Sequence, residues 1–255
     1  MGRVVFIGAG PGAADLITLR GARRLRDADV VLFDALTDPA LRDLAPQAHW
    51  VHVGKRGFAD STAQATINAL LLRHALESAL VVRLKGGDPS VFGRLEEELE
   101  ALAGAGIACE VIPGVTAALA AAAGTQRPLT RRGQGRSVSL STAMTREGRL
   151  RGACSADTEV FYMAGKQLAA LARRLRESGW PDDTPVSVVS RAGWPDMLHS
   201  QHPLATLGRA TVLHAGRPTV VTVGAGALPA ILVSRGCTES PRLETGQEQE
   251  ETLRP

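Results

Sequence analysis

Five short apolar runs rich in β-branched residues punctuate the first half of the chain: Val4 to Ile7, Val30 to Phe33, Trp50 to Val53, Leu80 to Leu84 and Cys109 to Ile112. Helical patterns fall between most of them, in LRGARRLRDA, STAQATINALLLRHALES and GRLEEELEALAGAG. Strands that are apolar on both faces and separated by helices predict a parallel sheet with right-handed crossovers. Local signals agree: Ser61 and Gln64 make a capping box for the second helix, and Gly104 and Gly106 end the third.

A second alternating series follows, with strands at Ser137 to Ser141, Glu159 to Met163, Val186 to Ser190 and Thr219 to Val223, and a helix in KQLAALARRLRESG that ends on Gly179. Its crossovers are less regular, so a mixed sheet is expected. The fold class is therefore α/β. Residues 1–124 form an N-terminal α/β/α domain with a mainly parallel five-stranded sheet, 125–136 a basic linker, and 137–236 a second α/β/α domain with a mixed sheet. An active-site trough is expected between the two. Residues 237–255 are polar, acidic and without periodicity, which predicts a disordered tail.

The first strand runs into a glycine loop, and the second ends on an acid, in VVFIGAGPGAADLITLRGARRLRDADVVLFD. Gly8, Gly10 and Ala13 fit the dinucleotide fingerprint, and Asp34 stands where a ribose-binding acid would. That fingerprint needs a helix N-terminus at the third small residue to face the pyrophosphate. Here Pro11 and Gly12 prolong the turn, and Thr18 is the better N-cap, preceding Leu19, Ala22, Arg23 and Leu25. The loop then reads as backbone approaching a ligand that has no phosphate, and Asp34 is free for another role.

Composition excludes several classes. Hydrophobic residues make up 44% and charged residues 22% of the 255, as in ordinary globular proteins. Arg and Asp interrupt every apolar run before the ~18 residues of a membrane helix, and Met1-Gly2-Arg3 leads straight into a strand without a signal-peptide core. No membrane partner and a cytoplasmic location are expected. Cys109, Cys154 and Cys237 are few and far apart, which offers no disulfide framework. His49 and His52 fall on opposite faces of an extended segment, so no metal is expected. With one Tyr, three Trp and five Phe, and a net charge of +3, stacking on nucleic acid is poorly supported. The basic excess is nevertheless uneven, because Arg127, Arg131, Arg132, Arg136, Arg146, Arg149 and Arg151 crowd one stretch whose only acid is Glu147. A solvated face and a site for a polyanion both fit it.

In open α/β sheets ligands bind beyond the carboxyl ends of the strands. The five strands of the first half deliver there the GAGPG loop, Asp34, Gly54-Lys55-Arg56-Gly57, Lys85-Gly86-Gly87-Asp88-Pro89 and Pro113-Gly114-Val115-Thr116. This convergence predicts a ligand cleft. It contains no P-loop and no carboxylate pair suited to magnesium and phosphates. Nor does it contain a G-x-S-x-G elbow or a Cys with a His in motif context. What remains is open backbone with Asp34, Lys55 and Asp88 as titratable groups. That composition suits a polar cofactor without phosphate and a reaction that moves protons.

The blocks Ile7 to Gly21, Phe33 to Leu36, Val53 to Arg56, Arg83 to Arg94, Pro113 to Ala118 and Pro128 to Gly133 resemble, in that order, the tetrapyrrole methylases. The likeness spans Val4 to Leu232, and RLKGGDP and PGVTAA are its most specific parts. It implies S-adenosylmethionine as cofactor and a homodimer. It also implies C-methylation of a tetrapyrrole polycarboxylate, with uroporphyrinogen III methylated at two carbons to precorrin-2, on the route to sirohaem and cobalamin. A later precorrin methylase is the sibling alternative, and an NAD(P)-dependent oxidoreductase a remote one. Matched position by position, the resemblance implies that Pro11, Gly86, Gly87, Asp88, Val91, Thr116, Ala117, Met163, Ala192, Pro218 and Thr219 contact the cofactor. It makes Asp34 the proton acceptor and Lys55 the proton donor. Because guanidinium groups pair with carboxylates, Arg131, Arg132 and Arg136 are expected to bind substrate. The chain departs from the family pattern at Leu95, at Ala143 and Met144, and at Trp194, which replaces a residue usually small and polar.

Overall fold

A computed structural model describes residues 2–54, 64–143 and 154–230. Strands β1 (Arg3–Gly8), β2 (Val30–Phe33), β3 (His49–His52), β4 (Leu80–Lys85) and β5 (Cys109–Ile112) form one sheet in the order β3-β2-β4-β1-β5, with every pair parallel. Strands β1, β2 and β4 alternate their side chains between two apolar layers. Val5, Ile7, Val31 and Val82 pack toward Leu25 and Leu41 on one face. Val4, Phe6, Val30 and Val81 pack toward Ile67, Leu71 and Leu102 on the other. Helix α1 (Leu19–Arg26) supplies Leu25, α2 (Gln64–Glu77) supplies Ile67 and Leu71, and α3 (Leu95–Gly104) supplies Leu102. The Thr18 side chain accepts from the Gly21 amide at 3.1 Å and caps α1, well downstream of the glycine loop. Gly104 is the last residue of α3, and Gly106 follows it at φ +69°. Ser61, and with it the proposed capping box, lies outside the described residues, as does the tail.

The second sheet contains β6 (Val138–Thr142), β7 (Thr158–Tyr162), β8 (Pro185–Ser190), β9 (Leu198–Pro203) and β10 (Thr219–Gly224), in the order β6-β7-β10-β8-β9. Only β6 and β7 pair in parallel, so the sheet is mixed. Helix α5 (Leu168–Glu177) covers one face through Leu168, Leu171 and Leu175, against Phe161, Val186, Val188 and Val221. Helix α4 (Ala117–Gly124) lies on the other, with Ala118 against Val160, Tyr162 and Val220, and Ala120 and Ala121 against Val189 and Ala192. A boundary at residue 124 leaves α4 with the first domain, yet α4 packs on the second sheet.

Two elements escape the sequence pattern. α4, with the sequence AALAAAAG, is small on every side and therefore has no amphipathic stripe to read. β9, with LHSQHP, is an edge strand whose residues are polar and half-exposed.

Candidate active site

The carboxyl ends of the first sheet face the second sheet across a cavity of about 220 Å³. Pro11 enters it from the loop after β1, Gly86, Gly87, Asp88 and Val91 from the loop after β4, and Thr116 and Ala117 from the start of α4. From the second domain come Met163 after β7, Ala192 after β8, and Pro218 and Thr219 at the start of β10. All eleven residues expected to touch the cofactor therefore share one cavity. Direct contacts hold the two walls together: the Ala13 amide donates to the Gly193 carbonyl at 2.8 Å, and Thr116 Oγ1 lies 2.8 Å from Tyr162 Oη.

The glycines at the strand ends have two distinct uses. A Cβ on Gly8 would come within 2.5 Å of the Gly114 Cα, and one on Gly114 would overlap the Gly87 carbonyl oxygen. These residues let three loops touch. Gly10 and Gly87, both at positive φ, exchange backbone hydrogen bonds of 3.2 and 2.7 Å. Gly86 and Gly87 present their open backbone to the cavity. Asp88 fastens the same loops, because Oδ1 accepts from the Ser90 amide and Oδ2 from the Gly114 amide, each at 2.8 Å. Each oxygen retains a further lone pair for a ligand.

Seven lining residues are not among the expected cofactor contacts. Leu36, Phe92, Tyr162, Val189, Arg191, Trp194 and Val220 complete the wall. Tyr162, the only tyrosine, packs its ring 5.0 Å from Phe92, and burial pushes its phenol pKa up. The Arg191 guanidinium lies 4.5 Å from the Trp194 ring centroid and donates to Asp196 at 2.7 Å. Phe92, Met163 and Arg191 all have positive φ. That conformation costs a non-glycine residue on the order of 1 kcal/mol or more, and such strain concentrates at functional sites.

Asp34 follows β2 directly and does not itself line the cavity; Leu36, two residues on, does. Arg83 Nη2 donates to Asp34 Oδ1 at 2.6 Å. Arg83 and Lys85 project from the same face of β4 and meet Glu98 of α3, with Arg83 Nε to Oε1 at 3.1 Å and Lys85 Nζ to Oε2 at 2.7 Å. Arg83, Lys85 and Glu98 are almost wholly buried, whereas the Asp34 side chain is 29% exposed. Burial alone would lower the Arg83 pKa, but Asp34 and Glu98 more than offset it and raise it. Burial, reinforced by the Arg83 charge, lowers that of Lys85 against the pull of Glu98. The signal in the sequence is two cations at i and i+2 in the otherwise apolar LVVRLK. Lys55 lies outside the described residues.

The basic cluster lies elsewhere. Arg131 and Gly135 form a tight bridge, and the Arg131 guanidinium donates to the Leu228 carbonyl. Arg132 and Arg136 are exposed, and the Arg136 amide donates to Asp157, just before β7, whereas the cavity meets β7 at its other end, at Tyr162. None of the three lines the cavity. Among the described residues, no group of three or more His, Cys, Asp or Glu could hold a metal ion.

Two sheets that face one another over a loop-lined cavity, with α1 capped at Thr18 well beyond the glycine loop, lack the strand–loop–helix phosphate site of a dinucleotide enzyme and leave a site of the tetrapyrrole-methylase kind. Residues 3–208 match the tetrapyrrole (corrin/porphyrin) methylases, and the chain belongs to that family. It is 41% identical over 232 residues to a uroporphyrinogen-III C-methyltransferase of Pseudomonas aeruginosa, covering 88% of this chain and 93% of the relative. It is 46% identical over 193 residues to a sirohaem synthase of Edwardsiella ictaluri; there the match covers 74% of this chain but only 42% of the relative. A crystal structure of the Thermus thermophilus uroporphyrin-III C-methyltransferase, complexed with S-adenosylhomocysteine, superposes with a TM-score of 0.77 at 36% identity, covering 88% of this chain and 97% of the other.

Proposed function

We propose that this protein transfers methyl groups from S-adenosylmethionine to two ring carbons of uroporphyrinogen III, giving precorrin-2, as a cytoplasmic homodimer. The single supporting observation is that the eleven residues matched to cofactor positions meet in one cavity at the carboxyl edge of the parallel sheet. Its lining fits that cofactor. Val189, Val220, Ala117 and Ala192 offer an apolar bed for a nucleoside, Gly86 and Gly87 offer backbone groups, and Arg191, its one guanidinium, is already paired with Asp196. When bound, S-adenosylmethionine supplies an electrophilic methyl carbon whose bond to sulfur breaks as the acceptor carbon attacks.

The protein's own residues then have three tasks. The cavity walls hold the acceptor in line, which is where most of the acceleration in a displacement arises. Tyr162, Phe92 and Leu36 give one side of the cavity an apolar surface. Asp34 is oriented through Oδ1 by Arg83, and Oδ2, which has no hydrogen-bond partner among the described residues, takes the proton that leaves the substrate. Lys55 is the proposed proton donor. Arg131, Arg132 and Arg136 gain no support from their placement as substrate ligands.

Incubation with uroporphyrinogen III and S-adenosylmethionine, followed by mass spectrometry, tests this reading. A product carrying two added methyl groups is expected. Absence of methylation on uroporphyrinogen III, with methylation of a later precorrin, would instead assign the protein to the sibling activity.

A further inference from the structure

Behind the cavity wall, on the α5 side of the second sheet, five side chains form a continuous hydrogen-bonded file. Thr219 Oγ1 is 2.8 Å from Ser190 Oγ, and Ser190 Oγ is 2.6 Å from His214 Nδ1. His214 Nε2 is 2.8 Å from Ser200 Oγ, which is 2.8 Å from His202 Nε2. His214 and Ser190 are fully buried, and Thr219 is nearly so. A hydroxyl has one proton to donate, and this settles the direction of the whole file. Thr219 Oγ1 also lies 2.8 Å from the Arg217 carbonyl, which can only accept, so Thr219 spends its proton there. Ser190 must then donate to Thr219, and His214 Nδ1–H must donate to Ser190. His214 Nε2 is consequently a bare lone pair that accepts from Ser200, and Ser200 accepts from His202 Nε2–H.

Thr219 lines the cavity at one end of this file, so the far groups can set its position. The Arg191 amide donates to the Pro218 carbonyl at 2.9 Å, which ties the exit of β8 to the entry of β10 at the same rim. Gly165 closes the third side, because a Cβ there would sit 2.8 Å from Thr219 Oγ1. We propose that His214 is a positioning residue for cofactor binding: as the Nδ1–H tautomer it holds Ser190 and Thr219 in place, and so fixes the cavity rim formed by β8, β10 and the Met163 loop. The proposal rests on the reading of this cavity as the S-adenosylmethionine site. Burial, together with the charges of His202, His199 and Arg217, keeps His214 in the neutral form that the file requires.

Calorimetry with S-adenosylhomocysteine as the probe tests the inference in two stages. Failure of the wild-type protein to bind would remove the reading of the cavity. Given wild-type binding, His214→Phe is expected to weaken it about tenfold, the scale of one displaced hydrogen bond. His214→Asn, whose Nδ2 donor can stand where Nδ1–H did, restores most of the affinity even if its melting temperature is as low as that of the Phe variant. The KM for S-adenosylmethionine should rise with kcat and the KM for the tetrapyrrole unchanged. Should His214→Phe fail to fold, Ser190→Ala is expected to show the same split. Wild-type affinity in the Phe or Ser190→Ala variant overturns the proposal, as does a loss that follows melting temperature equally in the Phe and Asn variants. An Nε2–H tautomer for His214 in ¹⁵N NMR overturns it independently.

Discussion

Arg83 donates to Asp34 at 2.6 Å from a buried position, and its second partner, Glu98, is shared with Lys85. The candidate base is thus one corner of a four-residue cluster with two positive and two negative charges. Only Asp34 has appreciable exposure, so it alone can meet a substrate. Asp34→Asn keeps the shape of the group and a hydrogen bond to Arg83, and removes the proton acceptor. The variant should fold and bind S-adenosylhomocysteine with near-normal affinity while turnover falls by a factor of about 10²–10⁴. Initial rates set beside binding constants check this, and wild-type turnover would end the assignment.

Glu98→Gln has a different signature. It leaves Arg83 and Lys85 buried side by side with one carboxylate, on the partly exposed Asp34, between them. Removing one partner of a buried charge network costs about 3–5 kcal/mol. Denaturant unfolding should register that loss, whereas Glu97→Gln, which breaks the half-exposed pair with Arg94, should cost at most about 1 kcal/mol.

The two kinds of residue at this site were not equally legible. The β1 to β5 alternation and the cap at Thr18 could be read because buried parallel strands and helix starts carry local patterns. Asp34 and the KGGDP loop stood out as polar residues at strand ends. Arg83 and Lys85 lay in plain view in LVVRLK, but their partner Glu98 is 13 to 15 residues away on α3, and pairing across elements leaves no local trace. Phe92 and Arg191 line the cavity at positive φ, which residues of these types do not announce. Arg131, Arg132 and Arg136, expected to bind substrate, do not line the cavity. Their clustering was real, but the chain carries them toward the end of β7 remote from Tyr162.

Glycines at the strand ends separate by what surrounds them. At Gly114 an added methyl would strike the backbone of Gly87 and Gly8, so Gly114→Ala must push two ligand loops apart. A loss of at least about 2 kcal/mol is expected, with weaker S-adenosylhomocysteine binding. Gly104, at the end of α3, has nothing within 4 Å of the added carbon. Gly104→Ala should be neutral or stabilising by up to about 1 kcal/mol. Thermal melts of the two variants decide it, and equal effects would show that close approach is not what Gly114 provides.

Trp194 gives the cavity an optical reporter. The chain has three tryptophans, and of these Trp194 alone lines the cavity, where it faces the Arg191 guanidinium. Titration with S-adenosylhomocysteine should change the intrinsic fluorescence, and Trp194→Phe should abolish most of the change while binding persists by calorimetry. A full fluorescence response in that variant would place the ligand away from this wall.

Acid should destabilise the protein through His214. Its pKa falls from 6.5 to about 4 in the folded state, chiefly because burial disfavours the imidazolium, with His202, His199 and Arg217 adding repulsion. Between those two values the unfolded chain binds more protons than the folded one, so stability falls as pH falls. The contribution of His214 is complete above about pH 6.5 and lost progressively toward pH 4. His74, His199 and His202 are also shifted downward and act in the same direction. His214→Asn removes one of these groups, so the drop in unfolding free energy between pH 7.5 and pH 5 should shrink without vanishing. Urea titrations of both proteins at the two pH values measure the difference, and identical drops would mean that His214 takes up its proton in the folded state as readily as in the unfolded chain.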